Sequence, residues 1–437
     1  MKRTVLTIAG AALAVCASAQ TMTLKECLER GVRDSYQIQL VRMQEEQSAN
    51  NDSWSYAGGM PTVSLQGSYS GSMSSTDYTM ADDGSTVSTR DVLDHTLNAS
   101  LRADWTVFDG FSIQSTRDRM EELHNQGTIQ TRVTIEDYVA SLTSEYFNLV
   151  KQTIHLKNLD YATALSKERL RIVRQRYEMG GSSRLELQQT QVYFNSDSAQ
   201  SLKQHEALAS ANIKINRLMS NRDLRQVHEA ADTAITLIEG LDYESLLADM
   251  LETNSSLLKA ESSRALAGLD RRTVQARNYP YLKLNAAYGF THNIYGNSTY
   301  SNRNNWGPSF GATMGMNLVT GKQRVQERNA ILDEMNADIT IEQLELQLRA
   351  NLDDFWQAYC NNLLLLELQQ QNLETAQETM RIAQERYMLG DLSGLEMREA
   401  QKSLLDAEES LLQAQYDTKI CEISLLQISG RILQYLE

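Results

Sequence analysis

Proline is nearly absent from this chain. Three prolines occur among 437 residues, and they are Pro61, Pro280 and Pro308. Because proline breaks helices, its absence from stretches rich in Glu, Gln, Leu, Ala and Arg favours unusually long helices. Such helices are predicted over residues 111–178 and 322–389, and each would reach about 100 Å if continuous. Gly127, the one glycine of the first stretch, is a candidate break in that helix.

Cysteines are scarce, and basic residues are outnumbered by acidic ones. The four cysteines do not form the disulfide framework of a small secreted protein. The net charge of −15 argues against nucleic acid as a partner, because contacts with phosphate need a basic surface. After the first twenty residues there is no apolar run of about 18 residues, so no transmembrane helix is predicted.

The first residues have the pattern of a secretory signal peptide. Lys2 and Arg3 precede an apolar run, which is followed by the small residues Ala17-Ser18-Ala19. Residues 1–19 are therefore predicted to be removed on export. Cys16 leaves lipidation of the exported chain as an alternative, although the residue before it, Val15, is larger than is usual there.

The sequence also lacks the motifs of catalysis and metal binding. Its six histidines show no metal-ligand spacing, and it has no zinc-protease, phosphate-loop or nucleophile-elbow motif. We therefore expect this protein not to be an enzyme, and we expect it to bind neither metal nor cofactor.

The most informative feature present is a duplication. Residues 176–191 and 386–401 agree at seven of sixteen positions with a constant offset of 210. Each copy contains a glycine turn and then a serine cap with a glutamate three residues later, which is the pattern of a helix start. The glycines are Gly180 and Gly390, and the glutamates are Glu186 and Glu396. Each copy is therefore predicted to form the tip of a long antiparallel helical hairpin.

The duplication divides the exported chain into two repeats, residues 20–222 and 223–437. Each repeat is predicted to contain an opening helix, a β-hairpin and a helical hairpin. The opening helices span about 23–58 and 242–278, the β-hairpins 62–109 and 281–320, and the helical hairpins 111–220 and 322–430. Pro61 and Pro280 mark the matched junctions from helix to strand, since proline can begin a strand but cannot continue a helix.

Apolar and polar residues alternate in the predicted strands, as in Leu97-Asn98-Ala99-Ser100-Leu101. Strands of about 10 residues can cross a bilayer when tilted. The loops between them, at roughly 73–95 and 293–307, are polar. Four strands leave open edges in lipid, so at least two chains must join, and three chains would give a twelve-stranded barrel. The predicted class is thus an α+β membrane protein, and the alternative is a soluble coiled coil with two β-hairpins.

The duplicated Arg-Tyr-x-x-Gly-x-x-x-x-Leu-Glu motif, with the two proline junctions and the matched helix ends at 215–220 and 425–430, resembles the TolC family of outer-membrane efflux proteins. The resemblance implies a homotrimer with a twelve-stranded β-barrel in outer-membrane lipid and an α-helical barrel in the periplasm. It also implies two protein partners, a periplasmic adaptor and an inner-membrane transporter.

The resemblance further implies a narrow periplasmic aperture. Glu396 and Glu399 match the acidic positions that line it, and Glu186 matches an acidic residue of the first tip. The plainer interpretation is that Glu396 caps its helix and that Glu399 is a solvated surface residue.

Two tyrosines precede the glycine turns, Tyr177 and Tyr387. Tyr387 matches a tyrosine of the family's closing contact, but Leu392 stands where the family has an arginine. Packing between helices is the favoured interpretation of both tyrosines.

These features predict a passive duct by which a tripartite efflux system expels small toxic compounds. Two alternatives remain from the sequence. One is the outer-membrane duct of a type I protein secretion system, and the other is a periplasmic coiled-coil protein that transports nothing.

Overall fold

The computed structural model of the chain describes residues 20–238, 240–298, 300–318 and 320–436. The predicted signal peptide, including Cys16, lies outside the described residues. In the first half the elements are β1 (Gln20–Met22), α1 (Leu24–Asp34), α2 (Tyr36–Asn51), β2 (Thr62–Thr79), β3 (Thr86–Asp109), α3 (Ser112–Glu178) and α4 (Arg184–Leu218). In the second half they are β4 (His228–Ala230), α5 (Tyr243–Thr253), α6 (Ser255–Ala276), β5 (Tyr281–Ile294), β6 (Asn302–Gly315), α7 (Gly321–Leu389) and α8 (Gly394–Ile428), before a 3₁₀ turn (Ile432–Leu436).

The two longest helices are α3 and α7, with 67 and 69 residues. The expectation that Gly127 breaks the first of them is wrong, since α3 runs through it without interruption. A glycine in a helix costs only about 1 kcal/mol relative to alanine, which is too little to end a helix of this length.

The opening helix of each half is divided in two, contrary to the single helices expected over 23–58 and 242–278. The divisions fall at Ser35 and Asn254, whose backbones are extended, with φ of −61° at each. The Asn254 side-chain oxygen accepts the N–H groups of Ser256 and Leu257 at 3.0 and 3.1 Å, and so caps the start of α6. No proline or glycine marks either division.

The larger of the two sheets has four antiparallel strands in the order β2-β3-β5-β6, and β1 pairs with β4 in the other. The strands are longer, and the turns between them shorter, than the sequence predicted. Pairing of β2 with β3 continues to Thr79 and Thr86, and β5 pairs with β6 as far as Ile294 and Asn302. The predicted loops are polar, but a β-ladder is built from backbone hydrogen bonds, and serine and threonine side chains do not prevent it.

The two faces of the sheet differ in polarity. In the single chain Leu65 on β2 is 81% exposed and Phe310 on β6 is 89% exposed, and both lie on the same face as Leu97 and Leu101. The opposite face carries Ser100 and Asn285, among other polar residues. An apolar face of this size needs a partner or an apolar medium to cover it.

The chain forms two compact units, and each contains segments of both halves. Of the described residues, those within Met1–Arg42, Gln130–Leu258 and Gln343–Glu437 form one unit, and those within Met43–Ile129 and Lys259–Glu342, which include the four-stranded sheet, form the other. The core of the first unit is built on fully buried residues of three long helices, among them Leu142, Tyr146, Leu149, Ile215 and Leu426. Within the described residues no helix is both long enough and apolar enough to span a bilayer.

Candidate functional site

The two duplicated segments form nearly identical turns at the ends of α3 and α7. Gly180 and Gly390 both have φ of +81°, the left-handed conformation that glycine adopts without strain. In the first turn the N–H of Gly181 donates to the carbonyl of Arg176 at 2.8 Å, and in the second Asp391 donates to Arg386 at 3.0 Å. These bonds satisfy carbonyls at the helix end and reverse the chain toward α4 and α8.

The serine caps begin the return helices as the sequence predicts. The hydroxyl of Ser183 accepts the N–H of Glu186 at 3.1 Å, and that of Ser393 accepts the N–H of Glu396 at 3.2 Å. The two glutamates differ in their own bonds. The Glu396 carboxylate accepts a hydrogen bond from the N–H of Ser393 at 2.9 Å, whereas the Glu186 carboxylate accepts one from the Ser182 hydroxyl at 2.6 Å.

Glu396 and Glu399 lie on the exposed face of α8, while Met397 and Ala400 between and beyond them are buried. Hydrogen bonds from the hydroxyl and then the N–H of Ser393 lower the pKa of the Glu396 carboxyl below its ordinary value. A carboxylate that accepts such bonds is stabilised in its charged form. Glu396 therefore caps the helix and presents a negative charge to solvent at the same time.

The structure places the two tip tyrosines in different surroundings. Tyr387 is 8% exposed and packs with Met380, Ala383 and Met397, while Tyr177 is 40% exposed. The Tyr387 hydroxyl is buried without a hydrogen-bond partner among the described residues.

Two arginine side chains lie over the ring of Tyr387. The guanidinium carbons of Arg169 and Arg176 are 5.7 and 5.5 Å from the ring centroid. Cations over an aromatic face are attracted by its quadrupole. Tyr387 therefore contacts both apolar side chains and two cationic groups.

Sequence reasoning missed the contacts that join the two hairpins near their tips. Arg169 of α3 donates to the carbonyl of Gly394 at the start of α8. Arg398 of α8 forms a two-bond ion pair with Asp197 of α4, with N–O distances of 2.6 and 2.7 Å. The partners in these two contacts are 225 and 201 residues apart in sequence, and no motif connects them.

Each of the two prolines precedes a strand as predicted, but the helices before them end earlier than expected, α2 at Asn51 and α6 at Ala276. Pro61 and Pro280 directly precede the first residues of β2 and β5, Thr62 and Tyr281. Near the first junction the indole N–H of Trp105 donates to the carbonyl of Gly59 at 3.0 Å. Among the described residues no three His, Cys, Asp or Glu side chains are grouped so as to hold a metal ion.

Solved structures with the same fold come from several bacteria. A membrane protein from Pseudomonas aeruginosa aligns with a TM-score of 0.76 and 14% identity, over 93% of this chain and 90% of that chain. The CmeC outer membrane channel of Campylobacter jejuni aligns with a TM-score of 0.76 and 16% identity, over 93% and 85%. The outer membrane protein VceC of Vibrio cholerae aligns with a TM-score of 0.71 and 16% identity, over 93% and 96%.

Comparison with curated protein sequences gives no match. The sequence family described as outer membrane efflux protein, in contrast, matches residues 35–221 and 246–431, one segment in each half and most of the chain together. The similarity to TolC-like proteins that the sequence suggested is thereby confirmed. The chain belongs to the outer membrane efflux protein family, so it is an efflux protein of the outer membrane.

Proposed function

We propose that three copies of this chain form the passive exit duct of a tripartite efflux system for small toxic compounds. The repeats 20–222 and 223–437 of each copy would each supply one β-hairpin and one helical hairpin. The sheets would close a twelve-stranded barrel in outer-membrane lipid, and the helical hairpins would form a tube in the periplasm.

The four-stranded sheet is the observation that best supports this proposal. One face is apolar and exposed, and among the described residues β2 and β6 have no strand on their outer sides. In hydrocarbon each unpaired backbone group costs several kcal/mol, so an open four-stranded sheet is not stable there. Pairing of β2 with β6 of the next copy would remove both edges and turn the apolar face toward lipid.

The hairpin tips are proposed to form the periplasmic aperture. Glu396 and Glu399 lie on the exposed side of α8, and three copies would bring six carboxylates together, with Glu186 on the neighbouring tip. A ring of carboxylates favours cations over anions. In this proposal the turns at Gly180 and Gly390 set the shape of the tips, and Tyr387 anchors α7 to α8, while Tyr177 remains at the surface.

The proposed duct catalyses no reaction, so the energy for export must come from its partners. A periplasmic adaptor would bind near the hairpin tips and connect the duct to an inner-membrane transporter. The family description supports efflux, whereas a type I secretion duct would have the same fold and a different cargo.

Purification in detergent tests the assembly. Native mass spectrometry is expected to give three copies, and single-channel recording in planar bilayers is expected to show discrete conductance steps. A monomer that is released from cells without detergent would instead indicate a periplasmic coiled-coil protein.

Deletion of the gene tests the cargo. Increased sensitivity to a panel of toxic compounds, restored by the intact gene, is the expected result. Unchanged sensitivity together with loss of one secreted protein would indicate protein secretion.

A further inference from the structure

Arg398 lies between the two proposed aperture glutamates in the sequence, but its side chain points away from their exposed face. Its guanidinium binds the Asp197 carboxylate through two bonds of 2.6 and 2.7 Å, and the two side chains are 14% and 2% exposed. The guanidinium carbon also lies 5.2 Å from the ring centroid of Tyr193, beside Asp197 on α4. Two parallel bonds and an aromatic face fix this side chain in one orientation.

Asp197 is held from a third helix as well. The Ser166 hydroxyl of α3 donates to the same carboxylate. The Gln401 amide of α8 in turn donates to the Ser166 oxygen at 3.1 Å and to the carbonyl of Ala162 at 3.3 Å. The carboxylate of Asp197 is therefore used within the protein, where it binds the arginine and a hydroxyl group.

The charge of Arg398 can affect the aperture without direct contact, because electrostatic fields act over distance. Its neighbour in the chain is Glu399, and the Debye length at physiological ionic strength is about 8 Å. An arginine here without a counter-charge would offset one of the two aperture carboxylates in each copy. Paired with Asp197, the arginine contributes little net charge and therefore does little to offset the field of Glu396 and Glu399.

We propose that Asp197 is a specificity-determining residue of the channel, although it is buried and lines no pore. It neutralises Arg398 and so preserves the cation preference of the aperture. This proposal rests on the proposed function, in which Glu396 and Glu399 line the aperture. Asp197 is thus a positioning residue that acts through Arg398 and not by contact with the transported ion.

The experiment is the reversal potential of single channels of the full assembly in a KCl gradient across a planar bilayer. D197N is expected to lower the ratio of potassium to chloride permeability by about twofold, because one positive charge per copy is released beside two negative ones. The double variant D197N/R398Q restores the original balance of charge and is expected to restore the ratio. D197E keeps the negative charge at this position and is expected to retain most of the original permeability ratio.

Asp160 provides a matched control. Its carboxylate accepts the Ser201 hydroxyl at 2.8 Å between α3 and α4, but among the described residues it forms no ion pair with an arginine. D160N therefore removes an exposed, solvent-screened carboxylate from the same helix pair without releasing a guanidinium, and its permeability ratio is expected to change much less than that of D197N. Native mass spectrometry of each variant establishes that the assembly is intact.

The outcomes separate this inference from the function on which it rests. If E396Q/E399Q lowers the ratio and D197N does not, the proposed role of Asp197 is overturned, while the assignment of Glu396 and Glu399 to the aperture is supported. If D197N lowers the ratio and D197N/R398Q fails to restore it, the effect does not act through Arg398 and the proposal is again overturned. If neither E396Q/E399Q nor D197N changes the ratio, the aperture assignment falls together with the inference.

Discussion

Ser393 and Glu396 exchange hydrogen bonds across the first turn of α8. The Glu396 N–H donates to the Ser393 hydroxyl oxygen at 3.2 Å, and the N–H and O–H of Ser393 donate to the Glu396 carboxylate at 2.9 and 2.7 Å. This capping box satisfies backbone groups that a helix start leaves free. The same glutamate is the first of the two proposed aperture residues, so its structural and conducting roles must be separated by experiment.

Glutamine separates the two roles of Glu396. A glutamine at this position can still accept the Ser393 bonds, whereas alanine would remove a cap and cost about 1 kcal/mol. We expect E396Q/E399Q to keep the stability of the assembly and to lower its preference for cations in single-channel recordings. Unchanged ion selectivity in an intact assembly would reject the aperture assignment.

The charge of Glu396 should persist into acidic solution. Hydrogen bonds from Ser393 lower the pKa of this carboxyl below 4.5. Because the folded pKa is the lower one, the bonds stabilise the fold fully above the unfolded pKa, and this contribution is lost as pH falls through the folded value. In an E399Q background, cation preference is therefore expected to decline only below about pH 4.5.

The S393A variant tests the cause of that low pKa. Loss of the hydroxyl bond should move the decline in cation preference to higher pH in the same E399Q background. Identical titration curves with and without the hydroxyl would show that Ser393 does not set the charge of Glu396. Recording at fixed salt is essential, since ionic strength also screens the aperture.

Backbone conformation at the tips gives a third prediction. Gly180 and Gly390 have φ of +81°, and a side chain in this conformation costs roughly 1–2 kcal/mol at each position. G180A and G390A are each expected to lower the thermal midpoint of the purified assembly. G181A is the matched control, because an added Cβ there would meet the carbonyl oxygen of Arg176 at an ordinary 3.5 Å. Equal midpoints for G180A and G181A would contradict the prediction.

The sequence predicts those features of the fold that depend on local chemistry. Proline-free stretches predict α3 and α7, the glycine-serine segments predict the tips, and period-two alternation predicts the strands. The divisions at Ser35 and Asn254 could not be predicted, because they are fixed by contacts with distant chain segments. The Asn254 amide, for example, donates to the carbonyl of Ile428 at 2.8 Å.

In the candidate site too, residues defined by a local sequence pattern could be predicted, and residues defined by distant contacts could not. Glu186 and Glu396 could be located because a capping pattern spans only four residues. The ion pair between Arg398 and Asp197 could not, since it requires knowing that α4 and α8 are neighbours. A lone aspartate within a polar helix sequence gives no indication that it is 2% exposed.

A buried ion pair near the C-terminus provides the last prediction. Lys419 and Glu422 of α8 bind each other at 2.5 Å, with side chains 3% and 0% exposed. Burial lowers the pKa of Lys419, and the nearby Glu422 opposes that shift. Glu422 also accepts the Tyr435 hydroxyl at 2.5 Å and the N–H of Ile238 at 2.8 Å. The pair therefore joins α8 to the C-terminal 3₁₀ turn and to the segment between β4 and α5.

Removing one partner of this pair should cost more than removing both charges. K419M leaves a buried carboxylate without its cation, a change that typically destabilises a protein by about 3–5 kcal/mol. K419M/E422Q leaves no charge, and the glutamine oxygen can still accept from Tyr435 or Ile238, so we expect it to recover about half of that loss. Denaturant unfolding of the assembly, followed by tryptophan fluorescence, measures both variants. If K419M/E422Q were as unstable as K419M alone, the buried charge would not be the cause, and loss of the Glu422 hydrogen bonds would be the better explanation.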